Sequence, residues 1–120
     1  MGDLRERTKQ FALRVIRVYS ALPTSTEAQV LGKQVLRSGT SVGAQYREAY
    51  RCRSDAEYIS KIESALQELE ETTYWLELLV DGGFIATERL APLQQEAEEL
   101  TAILVTCSKT AKQKNQKGPK

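Results

Sequence analysis

Histidine is absent from this 120-residue sequence, and tryptophan, cysteine and proline occur once, twice and three times. Without histidine the chain lacks the commonest general base, the usual activator of serine and cysteine nucleophiles, and the usual zinc ligand. Carboxylates are plentiful but fall in solvated helical patterns, and no acidic pair stands alone in an apolar setting that would raise a pKa for acid catalysis. No catalytic residue, metal ligand or cofactor is therefore expected, and the protein reads as a non-enzyme. Cys52 and Cys107 have neither CxxC spacing nor a histidine partner. They read as small apolar thiols near the C-terminal ends of helices. No run is apolar for long enough to cross a bilayer, and MGDLRERTKQ lacks the apolar segment of a signal peptide. The expectation is a cytoplasmic protein with no membrane partner.

Sustained alternation of apolar and polar residues is also missing, so helical periodicity decides the class. The first pattern, about residues 3–21, aligns Leu4, Phe11, Val15, Val18 and Leu22, and Pro23 ends it. Thr24-Ser-Thr-Glu27 reads as a capping box opening a second helix, about 25–53, with a core face of Ala28, Leu31, Val35, Ser38, Val42, Gln45, Ala49 and Cys52. Ser54-Asp-Ala-Glu57 opens a third, about 55–81, whose seam is Ile59, Ile62, Leu66, Leu69, Thr73, Leu76 and Val80. Asp81-Gly82-Gly83 supplies a left-handed cap. A fourth helix, about 87–112, can be capped by Thr87 and aligns Leu90, Leu93, Ala97, Leu100, Leu104, Cys107 and Ala111. The pattern predicts one all-α domain over residues 1–112, an antiparallel up-and-down four-helix bundle, followed by a disordered lysine-rich tail at 113–120.

The second helix carries two further stripes. Gly32, Leu36, Gly39, Gly43, Tyr46 and Tyr50 share a line roughly 90° from the core face, by the 100° advance per residue of a helix. Glycines collected on one line let another backbone approach, so Gly39, Gly43, Tyr46 and Tyr50 are expected to face a neighbouring helix or subunit. The alternative is a break at Gly39. Past Tyr74 the third helix is apolar nearly all round, which adds Tyr74, Trp75, Leu78 and Leu79 to the expected interface.

The other stripe, Lys33, Arg37, Thr40, Ala44, Arg47 and Arg51, is cationic, with Arg14 and Arg17 on the first helix available to extend it. Six cations with hydroxyls at Thr40 and Ser41 could contact phosphates, the sequence-independent part of nucleic-acid binding. A charged exposed face is equally what any soluble helix presents. The charge is nonetheless segregated: residues 1–53 hold ten Lys or Arg against four acids, 54–108 two against twelve, and 109–120 five against none. That polarity suits an anionic partner, or basic-to-acidic contact between copies of the chain.

The run from Arg37 to Leu79, RSGTSVGAQYREAYRCRSDAEYISKIESALQELEETTYWLELL, resembles the signature of the bacterial four helix bundle proteins, first noticed as products of intervening sequences in 23S ribosomal RNA genes. Ser41, Val42, Gly43, Ala44, Glu48, Ala49, Arg53, Ser54, Lys61, Ala65, Glu68, Glu71, Tyr74, Trp75 and Leu76 match its ordered blocks. Gln45 replaces the usual asparagine and Gln67 the usual lysine. The resemblance implies a four-helix protomer assembled into a homopentamer. It also implies kinship with the accessory variability determinant protein of diversity-generating retroelements, which binds nucleic acid and a reverse transcriptase. Two functions follow as expectations: an accessory protein binding RNA or DNA backbone, or a protein-interaction scaffold with no nucleic-acid role.

Overall fold

The computed structural model describes residues 3–116 as four α-helices: α1 (Leu4–Ser20), α2 (Thr26–Tyr50), α3 (Asp55–Asp81) and α4 (Thr87–Gln116). They form an up-and-down bundle 58 Å long and 21 Å across. Each helix packs on the next in sequence, and a thin α1–α4 seam closes the ring.

Local chemistry sets the helix starts. The Asp3 carboxylate accepts from the Arg5 amide at 2.9 Å, Ser25 Oγ from Ala28 at 3.3 Å, and Ser54 Oγ from Glu57 at 3.1 Å. Each satisfies an amide that lacks an intrahelical acceptor. The cap of α2 is thus Ser25, not the Thr24 that opens the expected box. Glu57 accepts from the Arg53 amide at 3.4 Å, one residue upstream of the Ser54 cap. Gly83, at φ 78°, takes the left-handed conformation that ends α3, and the Phe84 amide donates back to the Leu79 carbonyl at 3.0 Å. Thr87 is the first residue of α4, not its cap.

Two ends differ from the sequence reading. α2 stops at Tyr50, because Arg51 to Ser54 are needed to reverse the chain into α3. α4 runs past 112 to Gln116, since Lys and Gln are good helix formers and Lys112 pairs with Glu63 at 2.6 Å. The expected tail therefore begins inside a helix, and Cys107 lies well before the end of α4. Residues 117–120 of that tail fall outside the described residues.

The core combines Phe11 and Val15 of α1, Val35 and Val42 of α2, Ile62, Leu69, Leu76 and Leu79 of α3, and Leu90, Leu100 and Leu104 of α4, all fully buried. On α3 the seam is rotated from the one expected: Ala65, Thr72 and Leu79 are buried, while Ile59, Leu66, Thr73 and Val80 are half-buried. Contact with both α2 and α4 turns α3 toward the mean of two directions. The buried Ser38 and Thr72 hydroxyls meet across α2 and α3 at 2.8 Å, and Ser38 donates to the Gln34 carbonyl at 2.8 Å.

α2 is continuous through its glycines, and the helix that approaches them is α1. A Cβ at Gly39 would lie 2.8 Å from a Val15 methyl, and one at Gly43 would lie 3.0 Å from Thr8 Oγ1. Thr8 fits because its hydroxyl turns back onto the Leu4 carbonyl at 2.7 Å.

Register places α1 unevenly along its neighbours. Thr8 is level with Gly43, and Arg7 with Glu96 and Glu99, yet α2 continues to Tyr50 and α4 to Gln116. α1 begins only one turn before Arg7. The end of the bundle built from late α2, early α3 and late α4 is consequently a three-helix end.

Candidate functional site

Lys33, Arg37, Ala44 and Arg47 of α2 and Arg51 just past its end are all exposed, so the cationic stripe does face solvent. Arg47 also borders a crevice of about 380 Å³ between α1 and α2, lined by Thr8, Lys9, Ala12, Thr40, Gly43 and Ala44. The crevice exists because Gly43, Ala44 and Ala12 leave room at the helix crossing. Lys9 was absent from the sequence reading, although it lies one residue from Thr8, which touches Gly43.

Arg37 differs from the other cations of the stripe. Its guanidinium reaches Glu68 at 3.1 Å and Glu71 at 2.5 Å on α3, and the hydrogen bond to Glu71 is the main cause holding it above the ordinary guanidinium range. A guanidinium committed to two carboxylates has little charge left for a phosphate, so Arg37 is an interhelical tie. Other seams repeat the device. Arg7 meets Glu96 at 2.7 Å and Glu99 at 2.9 Å, Lys61 meets Glu48 at 2.6 Å, and Lys112 meets Glu63. Hydrogen bonds to those carboxylates raise Arg7 and Lys61, and the Lys112 ammonium lowers the Glu63 carboxyl. Lys33, Arg47 and Arg51 make no ion pair among the described residues.

The hydroxyls expected to assist are already engaged. Thr40 Oγ1 donates to the Leu36 carbonyl at 2.7 Å and Ser41 Oγ to the Arg37 carbonyl at 2.8 Å. A hydroxyl has one proton, so neither is free to donate to a phosphate without breaking that bond. Contacts to an anion fall to the cations.

Arg14 and Arg17 do not extend the α2 line. They border a separate groove of about 300 Å³ between the end of α1 and the start of α4, with Arg89 and an apolar floor including Val18, Ile85 and Leu93. The α1 face bearing Arg14 is the one bearing Arg7, seven residues earlier, and that face meets α4. Heptad spacing between Arg7 and Arg14, and between Arg89 and Glu96, is the signal that could have revealed this.

The expected interface residues also separate. Gly39, Gly43 and Tyr46 are buried, the glycines against α1, and Leu79 is in the core. Tyr50 and Tyr74 are exposed, at 70% and 52%. Tyr46 and Tyr50 rings lie 6.1 Å apart, and Tyr74 lies 5.1 Å from Trp75. Trp75 and Leu78 are half-buried. Trp75 Nε1 and Gln45 Oε1 are buried with no hydrogen-bond partner. At the three-helix end, Tyr58, Ile103, Cys107 and Ala111 line an apolar groove of about 620 Å³ between the start of α3 and the end of α4. Burial, then Cys107, pushes the Tyr58 phenol up to about 12. No group of three or more His, Cys, Asp or Glu that could hold a metal occurs among the described residues, and no described helix is long and apolar enough to cross a membrane.

Comparison with solved structures finds a crystal structure of a protein of unknown function from the S23 ribosomal protein family of Bacteroides thetaiotaomicron. It is 36% identical, covers 89% of this chain and 99% of its own, and has a TM-score of 0.84. No curated protein matches. The family model described as 23S rRNA-intervening sequence protein matches residues 3–106, nearly the whole four-helix body. The signature read around Gly43 and Trp75, the four-helix architecture and these two matches agree: this chain belongs to the 23S rRNA-intervening sequence protein family.

Proposed function

We propose that the protein is a cytoplasmic, non-enzymatic, homo-oligomeric accessory protein that binds RNA or DNA through the phosphate backbone. The observation that carries this reading is a contrast along α2 and its C-terminal cap: Arg37 is neutralised by α3, whereas Lys33, Arg47 and the cap residue Arg51 point outward without a carboxylate. Lys9 joins them across the crevice. Cations left uncompensated along a rod-like surface attract a polyanion and release its counterions, with no base-specific contact required. The pentameric assembly implied by the family resemblance would repeat this line around a ring. Binding of structured RNA and duplex DNA across a salt series tests the reading. Loss of Lys33, Arg47 and Arg51 should weaken binding to every sequence alike, and unchanged affinity would reject it.

The apolar groove at the three-helix end favours a second reading, a protein-interaction scaffold. In that case the basic and acidic faces meet between subunits, and reversing Arg47 and Arg51 to glutamate should dissociate the oligomer, as read from mass in solution. An oligomer that stays intact would count against that electrostatic contact.

A further inference from the structure

The α1–α4 seam changes character along its length. At its lower level Arg7 of α1 faces Glu96 and Glu99 of α4. Two helical turns further, the antiparallel register advances α1 by seven residues to Arg14 and takes α4 back by seven to Arg89. An arginine thus stands where the preceding level has a glutamate. Arg17 borders the same groove, and none of the three guanidiniums, Arg14 half-buried and Arg17 and Arg89 exposed, makes an ion pair among the described residues. Three like charges brought to one groove repel, whereas Arg7, Arg37, Lys61 and Lys112 at other points of the helix seams are tied to carboxylates. The seam is also the thinnest in the bundle, which leaves the groove open.

We infer that this groove binds a small phosphorylated ligand, its phosphates on Arg14, Arg17 and Arg89 and an apolar body on Val18, Ile85 and Leu93. A single carboxylate would leave two of the three charges uncompensated. A phosphate ester or diphosphate supplies two or three charges and several oxygens, which planar guanidiniums grip in pairs. The aliphatic floor gives a non-polar body a surface that inorganic phosphate cannot use. A volume of about 300 Å³ stands at the lower end of small-molecule sites, roughly 300 to 1,000 Å³, and suits a nucleotide-sized molecule. Bound there, the ligand would cross-link α1 and α4 along the seam where helix packing is thinnest. The site is separate from the α2 line, so either can fail without the other.

Calorimetric titration and thermal unfolding of the full chain, at fixed low ionic strength, test it with adenosine diphosphate, pyrophosphate and adenosine. Adenosine diphosphate should bind and raise Tm, pyrophosphate should bind more weakly, and adenosine should not bind. Replacing Arg14 and Arg89 by alanine should weaken adenosine diphosphate binding by about tenfold or more, with helicity unchanged by circular dichroism. Arg89→Glu should copy the Arg7–Glu96 tie, raising the Tm of the ligand-free protein and removing the shift with adenosine diphosphate. No binding of adenosine diphosphate overturns the proposal, as does binding that survives loss of Arg14 and Arg89 or is lost with Lys33, Arg47 and Arg51. Equal affinity for pyrophosphate and adenosine diphosphate overturns the apolar subsite.

Discussion

At Gly39, two physical terms of opposite sign meet. Alanine there should gain about 0.8–1 kcal/mol of helix propensity, yet its Cβ would lie 2.8 and 2.9 Å from the two Val15 methyls. Those methyls sit directly on a β-branched Cβ, whose rotamer is restricted, so the contact cannot be relieved by swinging a distant atom. Overpacking costs about 1–3 kcal/mol, and it should win. Chemical denaturation of Gly39→Ala should show a net loss of about 1 kcal/mol, and a gain would mean that α1 yields at this point. The glycine line was legible in the sequence because its residues share one face at helical spacing. Which helix would fill it was not, since spacing on one helix carries no information about the partner. Gln45 shows the opposite limit. Its apolar-face position was legible, but its buried oxygen has no partner, a state that side-chain type alone cannot foretell.

At the scale of an element, Arg37 separates two roles that its sequence position does not. The wheel puts it in line with Lys33 and Arg51, but it stands opposite Glu68 and Glu71 once α3 is in place. Arg37→Ala should lower stability by less than about 1 kcal/mol, because the pairs are largely exposed, and the loss should shrink as salt is raised. A second element-scale effect arises at the start of α3. Tyr58 has its phenol pushed up to about 12 from an ordinary 10.0, with burial the largest cause. The folded state therefore holds the proton more tightly than the unfolded state. Its contribution to stability is complete below pH 10 and should be lost as pH rises from 10.0 toward about 12. Unfolding midpoints measured across that range should fall steadily, and Tyr58→Phe should flatten the decline. The starts of α2 and α3 and the end of α3 were legible to within a residue because Ser25, Ser54 and Gly83 act locally. The rotated seam of α3 was not, because it reflects simultaneous packing on α2 and α4. Ser54→Ala should cost about 1 kcal/mol by denaturant titration, since the Glu57 amide loses its acceptor.

Across the whole molecule, the segregation of charge along the chain becomes a spatial arrangement once the helices fold back. Glu63, Glu68 and Glu71 of α3 and Glu96 and Glu99 of α4 are taken up as seam partners for Lys112, Arg37 and Arg7, and Glu48 of α2 pairs with Lys61 of α3. What remains outward along α2 and at its C-terminal cap is Lys33, Arg47 and Arg51, and the account rests on those residues. The four-helix body could be read from periodicity, and the family from the blocks around Gly43 and Trp75. The division of cations into ties and free charges could not, because it depends on register between helices. The most direct measurement is the slope of log K against log salt for a structured RNA and a DNA duplex. Three variants decide it: wild type, Arg37→Ala, and the triple Lys33→Ala, Arg47→Ala, Arg51→Ala. The account predicts salt-sensitive binding by wild type, a slope nearly unchanged in Arg37→Ala, and a triple variant whose slope on duplex DNA falls by up to about 0.9 per lost phosphate contact. Equal slopes for wild type and the triple variant, or no binding at low salt, would contradict it.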